Sequence, residues 1–193
     1  MKATFFLSIL LAGGSLLFGS RPSTSLSLSV PSYKVSKAKR AASMPIAPVR
    51  IVVDKSDYEL TVYDQKGWFA TYPVVFGSNS LEDKKFEGDR NTPEGTFKIV
   101  NKKPHPKWDK FMLLDYPNAE SLAKFNQRKM RGEIPKNARP GGGVGIHGTW
   151  PHEDYQIDRF RNWTDGCISM RNKDVEELYN MIPVGTKVTI RLN

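Results

Sequence analysis

The sequence predicts a mostly β domain, α+β in class, built as a β-sandwich with short helices. Three observations predict it. Runs of β-branched and aromatic residues recur from residue 49 onward, each bounded by turn formers. Only two stretches carry the 3.6-residue apolar period of a helix. The apolar content, 39% with 11% aromatic over 193 residues, suits one packed core rather than a disordered chain.

Residues 51–53, 59–63 and 69–76 read as strands. The turn-rich stretches 54–58 and 64–67 join them into an antiparallel meander. Thr92-Pro93-Glu94-Gly95 fits a type I turn, with Pro second and Gly fourth. Strands follow at 96–100 and 112–115. Asn118 is placed to cap a helix over 119–130, with Leu122 and Phe125 on one side. Pro135, Pro140 and three glycines at 141–143 make the next segment a loop. Residues 117–143 therefore read as a lid over a cleft or as a decorated surface insert. Residues 144–147 form a short strand. Asn172 caps a second helix, with Asp174, Glu176 and Glu177 near its positive end. Val175, Leu178, Tyr179 and Ile182 give it an apolar face, Pro183 and Gly185 end it, and a closing strand covers 187–192.

The chain divides into three parts. Residues 1–20 read as an export signal, with Lys2 ahead of an uncharged apolar run. That run, 3–18, is shorter than the ~20 residues a spanning helix needs. An uncleaved signal would be the one route to a membrane. Residues 21–48 are a Ser/Pro-rich basic linker with little to bury. Residues 49–193 are the folded domain. Localisation is expected in the periplasm or cell envelope. Of the formal +9 charge, +6 falls within residues 1–48, which contain no acid, so the domain carries only +3. No basic stripe marks a nucleic-acid footprint, and none is expected as a partner.

Cys167 is the only cysteine, which excludes an intramolecular disulfide and a multi-cysteine zinc site. With three histidines in all, His105, His147 and His152, no metal is expected. A thiol needs a base to become a strong nucleophile. His147 ends a predicted strand, and Cys167 follows Gly166 in a tight loop. Gly166 would permit an unusual backbone angle and leave the Cys167 amide free for an oxyanion. An inert buried cysteine beside a structural histidine is the other reading of the same residues. Trp150 and Trp163 flank the loop and are candidate cleft walls. Arg171 is a candidate contact for a substrate carboxylate. His152-Glu153-Asp154 reads as a solvated polar loop, and His105, between two prolines, as a structural one.

His147-Gly148-Thr149, followed by Thr164-Asp165-Gly166-Cys167-Ile168 and by Met170, Asn172 and Asp174, resembles the signature of the YkuD-type L,D-transpeptidase catalytic domain. Thr92-Pro93-Glu94-Gly95-Thr96-Phe97 resembles that family's upstream motif. The Trp163–Ile168 form is similar to a YafK-like branch. The resemblance implies Cys167 as nucleophile and His147 as base. It implies that Gly148 orients the histidine through its carbonyl, and that Gly166 with Cys167 forms the turn and oxyanion donor. Thr164, Asp165, Arg171 and Trp163 are the expected substrate contacts. Two positions depart from the pattern: Asp165 stands where a histidine is usual, and Ser169 where an arginine is. The implied function is acyl transfer on peptidoglycan stem peptides through a cysteine thioester, with no cofactor required and a wall-attached protein as a further partner. The alternatives are a hydrolase of the same chemistry and a non-catalytic wall-binding module.

Overall fold

The computed structural model describes residues 38–39 and 44–193, all within the compact unit Lys34–Asn193. The expected export signal and most of the expected linker lie outside the described residues. Among the described residues, nine strands and three helices follow one another as β1 (Ala38–Lys39), β2 (Arg50–Asp54), β3 (Glu59–Asp64), β4 (Gly67–Pro73), β5 (Gly95–His105), β6 (Asp109–Leu114), α1 (Ala119–Met130), β7 (Gly145–His147), α2 (Tyr155–Asp158), β8 (Ile168–Ser169), α3 (Asn172–Met181) and β9 (Lys187–Arg191).

The strand order is β1-β4-β3-β2-β9-β5-β6-β7-β8. β2, β3 and β4 form the expected antiparallel meander, and β9 returns parallel to β2. β5 serves two layers. Residues 95–98 pair with β9, whereas 99–105 pair with β6, with a register shift in that ladder between Ile99 and Asn101. The shift bends the strand, as a bulge does. The chain leaving β4 then bridges by Val75 to Ser169 of β8, the last strand in the order. Alternate residues of the strands point into one core. Ile51, Val53, Leu60, Val62, Phe97, Ile99, Val188 and Ile190 are all at most 2% exposed. α3 closes the core with Val175 and Leu178, both fully buried.

Several sequence expectations need correction. Residues 92–95 do not form a turn. The segment is held extended because Lys55 Nζ donates to the Thr92 carbonyl, Thr92 Oγ1 accepts from the Gly77 amide, and Asp83 accepts from the Glu94 amide. β5 runs past its expected end to His105 because its polar half has β6 as partner. Asn118 caps α1 as expected, accepting from the Ser121 amide at 3.0 Å. Asn172, by contrast, is the first residue of α3, and Arg171 occupies the cap without a side-chain cap bond. The short β8 and α2 carry no pattern that periodicity could reveal.

Candidate active site

The cysteine loop is built by its own side chains. Thr164 Oγ1 accepts from the Gly166 amide at 3.2 Å and donates to the Cys167 carbonyl at 2.7 Å. The expected substrate contact Thr164 is thus 4% exposed, with its hydroxyl committed to the turn. Gly166 lies at φ 129, and a Cβ there would stand 2.8 Å from the Asn91 carbonyl oxygen. Only glycine meets both conditions. Among the described residues the Cys167 amide has no recorded acceptor.

β7 pairs with β8 in parallel, His147 opposite Ser169. Cys167 precedes β8 by one residue. The pairing thus brings the cysteine turn to the end of the strand that carries His147. His147 is 1% exposed, and its Nδ1 meets the Gly148 carbonyl at 2.7 Å. A carbonyl can only accept, so Nδ1 carries the proton and Nε2 holds the free lone pair. Ser169 Oγ donates to the same carbonyl at 3.3 Å, so the residue at the departing position supports the histidine's anchor. The imidazole stacks on Trp108, ring centres 4.4 Å apart, and meets the edge of Trp163. Burial in this aromatic box lowers its pKa to about 4, although the Gly148 bond opposes the shift.

Gly148 is sterically obligatory. A Cβ would come 2.2 Å from Asn172 Oδ1 and 2.8 Å from the Trp108 carbonyl, which also accepts the Gly148 amide. Gly148→Ala is expected to destabilise the fold by about 1–3 kcal/mol and to displace the His147 anchor. Thermal unfolding should show a midpoint several degrees lower, and activity should fall with it.

His147 and Cys167 line one cavity of about 640 Å³. Its remaining walls include Trp108, Phe111, Trp163, Lys84 and glycines 141–143. The thiol Sγ lies 3.6 Å from the Gly143 carbonyl. Burial raises its pKa to about 11, Asp165 adds to the rise, and the Gly145 backbone and Lys84 oppose it. The resting pair is accordingly a neutral thiol and a neutral imidazole at pH 7.

The other expected contacts divide. Trp163 lines the cavity. Asp165 sits on its exposed rim, 3.4 Å from Arg90. Arg171 does not line it; its guanidinium bridges Asp158 at 2.5 Å and Asp174 at 3.4 Å, tying α2 to α3. His152 is exposed and outside the cavity, whereas Asp154 fastens its loop by accepting from Thr149 Oγ1 and the Asn172 amide. His105 is more than a loop residue. It lines the cavity and stacks on the far face of Trp108 at 4.4 Å. Sequence reasoning passed over Trp108 and Lys84, since neither lies in a motif with the pair. Among the described residues, no group of three or more His, Cys, Asp or Glu side chains could hold a metal ion.

Residues 48–190 match the sequence profile of the YkuD family, described as the L,D-transpeptidase catalytic domain. A protein provisionally named L,D-transpeptidase YkuD, from Bacillus licheniformis, is 30% identical over 145 residues, covering 74% of this chain and 66% of that protein. YqjB of Bacillus subtilis, named provisionally for the same activity, is 29% identical over 144 residues, covering 72% and 69%. Among solved structures, the helical cell shape determining protein Pgp2 of Campylobacter jejuni superposes with a TM-score of 0.54 at 24% identity, covering 75% of this chain and 48% of that one. An Enterococcus faecium L,D-transpeptidase gives 0.50 at 19%, covering 76% and 50%. These structural likenesses show the fold. The chain spans about two thirds of the length of the first relatives and half that of the solved chains.

Proposed function

The chain belongs to the YkuD family of L,D-transpeptidase catalytic domains, and from that premise we propose that it is an exported cysteine enzyme acting on peptidoglycan stem peptides. The observation that carries the reading is the pairing, in one cavity, of the sole cysteine with a buried histidine whose Nδ1 is committed to Gly148. That commitment leaves Nε2 as the base.

The reaction then runs in two halves. Cys167 Sγ attacks the carbonyl at the L-centre of a diamino acid, and the thiol proton passes to His147 Nε2. Charge gathers on the carbonyl oxygen, where the Cys167 amide can donate. The intermediate collapses with cleavage of the C–N bond, the His147 proton goes to the departing amine, and a thioester remains. An acceptor amine or a water gives its proton to His147 and attacks the thioester. Collapse expels the sulfur, which recovers its proton. Amine acceptors give transfer and water gives hydrolysis. A high thiol pKa suits this scheme, because ionisation is coupled to attack.

Incubating the full chain with isolated sacculi, beside Cys167→Ala, and reading the muropeptides by mass spectrometry tests the proposal. New crosslinks between diamino acids, or exchanged terminal amino acids, are the expected result. Loss of such links, or release of wall-attached peptide or protein, would identify the hydrolytic form. Profiles identical to the Cys167→Ala control would overturn both.

A further inference from the structure

We propose that the buried Lys84–Asp89 pair is a positioning device for Cys167: a fixed cation behind the Gly166–Cys167 turn, and a carboxylate limiting its charge, together tune the thiol's reactivity. The inference rests on the reading of Cys167 as the nucleophile.

The ammonium is placed, not merely near. Lys84 lines the cavity with its side chain only 4% exposed, and its Nζ lies 3.7 Å from where a Cβ on Gly166 would stand. Asp89 binds it at 2.7 Å. The Asp89 carboxylate cannot swing, because it also accepts from the amides of Lys85, Phe86 and Asn91 at 2.5, 3.1 and 3.0 Å. Asn91 is in turn the residue whose carbonyl presses on Gly166. One carboxylate therefore fixes both the cation and the floor of the nucleophile's turn. The segment is anchored from outside too, since Arg128 of α1 donates to the Lys84 carbonyl at 2.7 Å and pairs with Asp83.

A buried lysine is costly unless its charge is matched. Asp89 takes one of its three N–H donors, and no second acceptor is recorded among the described residues. A purely structural pair accounts for the bonds of Asp89. It gives no reason for the cation to stand beside the sole cysteine. The charged and titratable groups that line the cavity with Cys167 are Lys84, Asp165 with its partner Arg90, His147 from β7, Glu87, and Lys103 and His105 from β5. Of these, Lys84 favours the thiolate and Asp165 opposes it.

The two members of the pair should therefore act in opposite directions. Removing the ammonium makes the thiolate harder to form; removing the carboxylate leaves the ammonium unopposed and makes it easier. A merely structural role predicts the same direction for both, since either change breaks one bond. The test is the rate of iodoacetamide alkylation against pH on the full chain, read by intact mass; Cys167 is the only cysteine, so each adduct is assigned. Lys84→Gln should move the half-point up by about one pH unit and Asp89→Asn down by a similar amount, with Lys84→Arg near wild type. Half-points that move together, or do not move, would overturn the proposal. If Lys84→Gln does not fold, Asp89→Asn decides alone, because the asparagine carbonyl oxygen still accepts from the Lys85 and Phe86 amides; an unchanged or raised half-point there overturns it. Full turnover by Cys167→Ala would sink the nucleophile reading instead. An inactive Cys167→Ala with unmoved half-points would sink only the device.

Discussion

Cys167→Ala should leave a folded protein with acyl transfer reduced by about 10³-fold or more. The reduction follows from the two-step scheme: without the sulfur no thioester forms, and the cavity retains only binding and the amide donor. Folding should survive because the thiol supports little. Its recorded contacts are with backbone alone, the long approach to the Gly143 carbonyl and a bond from Gly145, and the turn is held by the Thr164 hydroxyl. A thermal midpoint within a few degrees of wild type, together with the loss of turnover, is the expected pair of results. Cys167→Ser should behave similarly, since a hydroxyl is harder still for His147 to deprotonate. An inert structural cysteine would give the opposite pattern: unchanged turnover and a lower midpoint.

His147→Asn should lower kcat/KM by about 10²–10⁴-fold, the usual worth of a positioned base. The wild-type pH profile carries a second signature. Burial in the aromatic box holds the histidine near 4, so the neutral, proton-accepting form persists across the neutral range. Activity should hold on the acid side until pH approaches about 4 and fall below it. Stability has its own sign. The unfolded histidine titrates near 6.5, so below that value the unfolded state takes up a proton that the native site refuses. This one group should therefore cost stability as pH falls from about 6.5 to about 4, by roughly 3 kcal/mol at the limit. His147→Asn should remove that slope. Denaturant titrations at several pH values check it, and a slope unchanged in the variant would assign the acid sensitivity elsewhere.

Much of the site was legible in the sequence because its key residues are close along the chain. Gly166 and Cys167 are adjacent, and Gly148 follows His147. The meander and α1 were also legible, since their apolar periods and the Asn118 cap are local properties. What escaped was set by pairing across long separations. Lys84 and Asn91 meet Gly166 only because a clamped loop folds beneath the cysteine turn. Trp108 reaches His147 only because the long β5–β6 hairpin folds over it, and the polar second half of β5 gives no strand signal. Arg171 read as a contact for a substrate carboxylate because nothing local foretells Asp158 on α2. Asn172 read as a cap because capping propensity is blind to the Asp154 carboxylate that accepts its amide. Ser169 read as a lost contact, yet its hydroxyl joins the Gly148 anchor.

The central claim is that Cys167 carries the acyl group. The most direct measurement is the intact mass of the full chain, quenched in acid during turnover of purified tetrapeptide muropeptides, with the adduct mapped by peptide sequencing. The account predicts an added mass equal to the muropeptide minus its departing amino acid, located on Cys167, released by hydroxylamine and missing from Cys167→Ala. Turnover without any adduct on Cys167, or an adduct that persists in Cys167→Ala, would contradict it.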